Sequence, residues 1–470
     1  MCVETMDLLL THGYFLYEDP KELQIMKPYV PLGILYLASH LRAQKFNVEV
    51  FDTTFASRPE LLNLLQNSSP AVLGVYANLM TRGSVVQILQ TAKEAGWKTV
   101  VGGPEPGAYV EEYLAAGADV VVIGEGEITL EELLPILRSD SLHALHDVKG
   151  IAFREEDGSV RRTPPRSLIP DIDRQPWPSR ESVPMERYIE TWRQHHGTGS
   201  VSIITARGCP YDCRWCSHAV YGKTHRRRKA TSVVDELEWI LDRYSPDMLW
   251  IADDVFTIHH GWLAQFAAEM RRRKLQVPFE CISRADRLNG QVADLLAELK
   301  CFRIWIGSES GSQRVLDAMQ RGVTTTQVRD AVEVCKSRGI QTGMFLMWGY
   351  EGEQMEDIEA TIRHVKRTRP DTFFTTVAYP IRGTPYFEEV ADRVTTTKLW
   401  ADSSDRDFRI RGRHSRRFYQ NADKLLRAEV ELDKHLSMDS APEDSVVIEL
   451  RERIAQAREG LRESYPEPEA

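Results

Sequence analysis

Strand and helix patterns alternate twice along this chain of 470 residues, first over residues 8–137 and again from residue 201. No other feature restricts the fold as tightly. Near-continuous apolar strands separated by helical periodicity call for a parallel sheet covered on both faces. In the first run, 8–11, 47–51, 71–76, 98–101 and 119–123 read as strands, and 31–42, 84–95, 111–116 and 130–137 as helices. Ligands of such sheets sit at the carboxyl ends of the strands. Gly102, Gly103, Gly124 and Gly126 all stand at such ends.

Residues 151–200 read as a connector, with a hairpin turning at Asp157-Gly158 and then a Pro-rich extended stretch. The second run offers strands at 202–205, 248–252, 279–283, 302–307, 342–348 and 372–378. That count falls short of the eight strands of a closed barrel, so a partial barrel is expected. From residue 398 the pattern turns helical and charged. The predicted fold is α/β: a Rossmann-like (flavodoxin-like) domain over 1–145, a connector over 146–200, a partial (β/α)6 barrel over 201–395 and a helical region over 396–470. A net charge of −10 argues against non-specific wrapping of nucleic acid. No apolar run approaches the roughly 20 residues of a membrane span. The first residues lack the basic and apolar segments of a secretory signal, so a cytoplasmic chain without a transmembrane segment is expected.

The chain has seven cysteines, and Cys209, Cys213 and Cys216 fall within eight residues in the spacing C-x3-C-x2-C. An odd count in such a chain does not suggest a disulfide framework. Three thiolates on one loop can hold three irons of a [4Fe–4S] cube, leaving one iron open. Zinc would want a fourth protein ligand, which His218 can supply. Cys281, Cys301 and Cys335 lie on strand and helix patterns and read as buried small hydrophobes.

The cysteine loop after the first strand of a six-unit run resembles the radical S-adenosylmethionine (SAM) enzymes. The resemblance implies that SAM binds the open iron and is cleaved to a 5′-deoxyadenosyl radical. It places Trp215 near the adenine, Asp253 or Asp254 near the SAM amine, and Arg284 at the SAM carboxylate. Glu309 and Ser310, in WIGSESG, resemble the ribose and methionine contacts. The Asp pair and Arg284 also have plainer readings: a strand-end helix cap for the Asp pair, a surface ion pair for Arg284.

PLGILYLASHLR, GGP at 102–104 and VIGEGEITLEELL at 122–134 are similar to the cobalamin-binding domain of the B12-binding radical SAM class. That similarity implies cobalamin contacts at Pro31, Leu32, Gly33, Asn78, Gly102, Gly103, Pro104, Gly124, Glu125, Gly126 and Glu127. No D-x-H-x-x-G occurs, and Ala77-Asn78-Leu79 stands where S-x-L is frequent, which implies cobalamin held without a histidine below the cobalt. With only Cys2 in the amino-terminal region, the auxiliary cluster of methylthiotransferases is not expected. HRRRK at 225–229 reads as a solvated face more often than as an anion site.

The expected function is methylation of an unactivated carbon through the 5′-deoxyadenosyl radical and methylcobalamin. The expected cofactors are a [4Fe–4S] cluster, SAM and cobalamin; the expected partners are a small-molecule or lipid substrate and an external electron donor such as flavodoxin or ferredoxin. Alternatives are radical cyclisation, rearrangement or C–C coupling without methyl transfer, and a non-catalytic iron–sulfur sensor.

Overall fold

The computed structural model describes residues 6–437 and 444–469, and Cys2 lies outside them. The chain divides into two compact units, Met1–Pro210 with Ser217–Ala252 and Lys398–Arg406, and Tyr211–Cys216 with Asp253–Thr397 and Asp407–Ala470.

The first unit opens with β1 (Leu8–His12), α1 (Pro20–Ile25), α2 (Leu32–Ala43), β2 (Val48–Phe51), α3 (Arg58–Asn67) and β3 (Val72–Tyr76). It continues through α4 (Arg82–Glu94), β4 (Lys98–Gly102), α5 (Val110–Ala115), β5 (Val120–Val122) and α6 (Glu127–Arg138). The strands pair in parallel in the order β2-β1-β3-β4-β5. This is the flavodoxin-like order, whose ligand crevice lies where the order reverses, between β1 and β3. Leu9, Leu73, Val75, Val101 and Val121 from the strands join Ile88, Leu89 and Tyr113 from the helices in one core. A capping box on Ser57 and Glu60 starts α3.

The expected hairpin forms from β6 (Ile151–Arg154) and β7 (Val160–Arg162) and adds antiparallel to β5, extending this sheet. The connector also holds α7 (Met185–His196), where only extended chain was expected. Tyr188, Ile189 and Trp192 bury one face, Gly197 ends the helix at φ +74°, and Trp192 Nε1 donates to the Pro28 carbonyl at 2.7 Å. The helical spacing of those apolar residues was present, but it sits directly behind a proline-rich stretch.

After α7 come β8 (Ser200–Ile203), β9 (Ala206–Arg207), β10 (Arg226–Arg227), α8 (Ala230–Tyr244) and β11 (Met248–Ile251). β11 pairs with β8 in parallel, and β10 pairs with β9 antiparallel.

The second unit contains α9 (His260–Arg273), β12 (Phe279–Ser283), α10 (Gly290–Glu298), β13 (Cys301–Glu309), α11 (Gln313–Ala318), α12 (Thr325–Lys336) and β14 (Gln341–Trp348). α13 (Met355–Thr368), β15 (Thr372–Val377), α14 (Pro385–Val390), α15 (Arg416–Leu436) and α16 (Ser445–Ser464) follow, with a short antiparallel ladder of Val394–Thr395 and Arg409–Ile410 between α14 and α15. β12, β13, β14 and β15 pair in parallel in chain order, an open series of barrel staves. All six strands expected for the second run are therefore present, two in the first unit and four in the second. Ile304, Ile306, Met344 and Leu346 are buried on one face of these staves. On the other face the rings of Trp305, Phe345 and Phe374 stack across three strands at 5.1 Å spacing. Gly343 has no side chain because the Trp305 ring lies over it. Cys281, Cys301 and Cys335 are all buried, as expected. No helix among the described residues is long and apolar enough to cross a membrane.

Candidate functional site

The loop carrying the three cysteines leaves from β9 and returns to β10, so a two-residue antiparallel ladder closes its base. Gly208 makes the exit possible: it sits at φ +83°, and a Cβ there would strike the Thr224 carbonyl. The feet of the loop are locked by charge. Arg207 donates to Glu125 at 2.8 Å and to Glu127 at 2.6 Å, and Arg226 donates to Glu125 at 2.8 Å. Both carboxylates are buried, and Glu125 also accepts the Ile169 N–H. The reading of HRRRK as a solvated face is thus overturned. Arg226 turns inward to Glu125, and Arg228 turns to Glu236, which it shares with buried Arg180. The apolar setting favours such inward pairing because a buried charge without a partner is costly.

The tip of the loop, 211–216, belongs to the second unit. There the Cys216 N–H donates to the Cys213 carbonyl at 3.1 Å, closing a tight turn. The Arg214 N–H donates to the Met319 carbonyl, and the Tyr386 N–H donates to the Arg214 carbonyl. Trp215 packs against the core of Val315, Leu316, Met319 and Met347. Cys213 is buried, Cys209 is partly buried and Cys216 is exposed.

Two guanidinium groups converge on Cys213. Arg284 Nη1 donates to its Sγ at 3.8 Å and Arg321 Nη1 at 3.6 Å. Arg284 is held by Asp286 at 2.9 Å and by the Arg321 carbonyl at 2.8 Å, and it stacks 3.7 Å from the Tyr211 ring centroid. Arg321 donates from Nη2 to the Gly307 carbonyl at 2.9 Å, and its Nε lies 3.8 Å from Glu309.

Glu309 closes β13 in a strained pose. The ladder slips between Gly307 and Glu309, and Glu309 takes φ +61°, which a residue with a side chain adopts at a cost. Burial raises the affinity of its carboxyl group for a proton, while the charges of Arg321 and Arg284 pull the other way. α13 supports the segment from beneath: Thr361 Oγ1 accepts from the Gly311 N–H at 2.9 Å and lies 3.2 Å from Ser310 Oγ, and His364 Nε2 lies 3.3 Å from Ser308 Oγ. Of the acidic pair after β11, Asp253 is buried and Asp254 exposed.

Among the described residues, no three His, Cys, Asp or Glu side chains converge on a point that would grip a single metal ion. In a [4Fe–4S] cube each thiolate reaches a different iron corner. Three cysteines on one loop, with two arginine donors aimed at the buried one, suit the cube.

At the carboxyl ends of the first sheet, Gly103 sits at φ +118°, and a Cβ there would strike the Ala77 carbonyl. Gly102 and Pro104 flank it and are partly exposed, as are Pro31, Asn78, Gly124 and Gly126. Leu32 is buried, whereas a Cβ on exposed Gly33 would meet nothing within 4 Å. Asn78 Oδ1 accepts the Met80 N–H at 2.9 Å and so shapes the turn after β3. A bulky ligand can approach bare backbone here. His12 is not available to it: Nε2 donates to Asp52 at 2.9 Å, and Nδ1 accepts the Tyr14 N–H and lies 2.9 Å from Thr53 Oγ1. Burial alone would raise the Asp52 carboxyl, but hydrogen bonds from His12, Tyr188 and the Thr54 N–H hold it below the ordinary carboxylate range.

Known proteins resemble the chain over these same regions. Residues 203–365 match the radical SAM superfamily, and residues 25–134 match the B12 binding domain. An uncharacterized methyltransferase of Pyrococcus horikoshii, PH0819, is 30% identical over 384 residues, covering 79% of this chain and 80% of that protein. The anaerobic magnesium-protoporphyrin IX monomethyl ester cyclase of Rubrivivax gelatinosus is 28% identical over 382 residues, covering 77% and 67% respectively. Among solved structures, the radical S-adenosylmethionine methyltransferase TsrM of Kitasatospora setae, with tryptophan substrate and a SAM analogue bound, superposes with a TM-score of 0.71. That match spans 84% of this chain and 79% of TsrM at 21% identity, a likeness of fold.

Proposed function

The chain belongs to the radical SAM superfamily and carries a B12 binding domain ahead of the radical SAM region, and from that premise we propose that it methylates an unactivated carbon of a small-molecule or lipid substrate. One observation carries the reading: a three-thiol loop and a flavodoxin-ordered sheet with glycine strand ends occur in one chain. When bound, the [4Fe–4S] cluster supplies an electron, SAM a 5′-deoxyadenosyl radical and cobalamin a methyl group. Cys209, Cys213 and Cys216 hold the cluster, and no fourth protein thiol competes with SAM in their loop. Glu309, Ser310, Arg284 and the Asp253–Asp254 pair are the polar groups offered to SAM, with Trp215 at the flank. Gly33, Gly102, Gly103 and Gly124 would offer bare backbone to cobalamin, and both ring nitrogens of His12 are already engaged, by Asp52 and by the Tyr14 N–H. An external one-electron donor such as flavodoxin or ferredoxin serves the cluster.

The second reading, cyclisation without methyl transfer, is favoured by one observation, the 28% identity to a cyclase over most of the chain. Anaerobically reconstituted protein is expected to hold about four irons and, once reduced, to cleave SAM to 5′-deoxyadenosine. Cys213→Ala is expected to abolish both; normal iron with undiminished cleavage in that variant sinks the cluster assignment. Cobalamin that co-purifies and becomes methylated from SAM separates methyl transfer from cyclisation. If it does neither, the cyclase reading takes over.

A further inference from the structure

Resting on the reading that Cys213 ligates the cluster, we propose that Arg321 is a positioning residue that sets the reduction potential of the cluster and links it to the Glu309 side of the site.

Arg321 is 7% exposed, and each of its nitrogens has a separate task. Nη1 donates to Cys213 Sγ at 3.6 Å and Nη2 to the Gly307 carbonyl at 2.9 Å. Nε, buried and without a hydrogen-bond partner, faces Glu309 Oε1 at 3.8 Å. A second donor reaches the same sulfur from Arg284, whose Nη2 donates to the Arg321 carbonyl at 2.8 Å and so ties the two arginines together. Gly307 keeps the channel open: a Cβ there would meet Arg321 Nη2 at 2.5 Å and Glu309 Oε1 at 2.6 Å.

Guanidinium groups stay protonated in proteins, so this field is permanent. A cluster that gains one electron from an outside donor gains one negative charge, shared with its thiolates. N–H donors on a ligating sulfur stabilise the reduced form more than the oxidised form, and hydrogen bonds to the sulfurs are among the levers that set cluster potentials. Exclusion of water strengthens the effect. The Glu309 carboxylate opposes it from the far side of Arg321. A ligand that draws Glu309 away therefore releases the guanidinium to act on Cys213, which makes reduction easier when that ligand is bound. Sequence order conceals the pair, because 108 residues separate Cys213 from Arg321.

The test is an electron-paramagnetic-resonance redox titration of the full chain, reconstituted anaerobically, as wild type, Arg321→Lys and Arg321→Gln, with iron content measured alongside. Arg321→Gln is expected to lower the reduction equilibrium about tenfold, or 59 mV for a one-electron couple. Arg321→Lys keeps the charge without the fork and is expected to fall between. Added SAM is expected to raise the midpoint of the wild type and to move that of Arg321→Gln less. Full iron with unchanged midpoints in both variants overturns the proposal. If Arg321→Gln fails to hold iron, Arg321→Lys decides: an unshifted midpoint there overturns it and a lowered one supports it. A wild type that takes up no iron overturns the cluster reading itself, a result distinguishable from the others.

Discussion

Glu353 shows what burial does to a single side chain. It is 4% exposed in the loop after β14, where one oxygen accepts the Gly349 N–H at 2.5 Å and the other has no hydrogen-bond partner. Burial pushes its carboxyl up to about 8, and nearby Asp357 adds to the rise, so the folded chain keeps this proton at neutral pH. An unfolded chain loses it near 4.5. Between those two values the native state holds more protons than the unfolded state, so this residue's contribution to stability falls as pH rises and then levels off above the upper value. The slope is at most about 1.4 kcal/mol per pH unit. Glu353→Gln is expected to remove it. Thermal melts of both proteins across pH 6 to 8, inside the window set by 4.5 and about 8, should show a smaller fall in Tm for the variant. Parallel Tm curves would place the titration elsewhere.

At the scale of elements, the end of β13 and the face of α13 form one device. Gly311 rests on that helix so closely that a Cβ would meet His364 Cβ and Thr361 Cα, each at 2.5 Å. Gly311→Ala is therefore expected to cost about 1–3 kcal/mol, the usual range for overpacking. It should also weaken SAM binding through displaced Glu309 and Ser310, which equilibrium binding to the reconstituted protein would show. Unaltered affinity with a lowered Tm would confine α13 to a structural role. Elements of this kind were largely legible in the sequence. β3, VLGVY, is an apolar run long enough to be a strand and too short to be a helix. α7 was missed because proline-rich chain precedes it and masks its periodicity. The cysteine loop was legible from spacing alone. Arg321 was not, since it stands just past α11 between Gln320 at φ +51° and Gly322 at φ +64°, where no pattern marks it. The inward arginines of HRRRK escaped because their partners, Glu125 and Glu236, are remote or lie on the buried face of α8.

At the scale of the whole molecule, two buried ion networks tie distant stretches of the first unit together. In one, Arg82 is 1% exposed and bonds Glu105 at 2.5 Å and Asp405 at 2.7 Å, so residues 398–406 return to α4. In the other, Glu125 and Glu127 hold the feet of the cysteine loop. Removing one partner of a buried pair costs about 3–5 kcal/mol, and Glu125→Ala deprives both Arg207 and Arg226 at once. Its melting temperature is expected to drop by several degrees and its iron content to fall with it; wild-type values for both would show that the feet hold without the clamp. Residues 201–470 expressed alone should likewise fail to load iron, as measured by metal analysis of the soluble fraction. That clamp bears on ancestry as much as on stability. A gene that shed its first third would leave Arg207 and Arg226 as cations without anions, and one that acquired a foreign first third would need acids at the same two places. The acids before residue 140 and the arginines after residue 200 are thus one charge-balanced set, and a change at either end leaves a buried charge at the other.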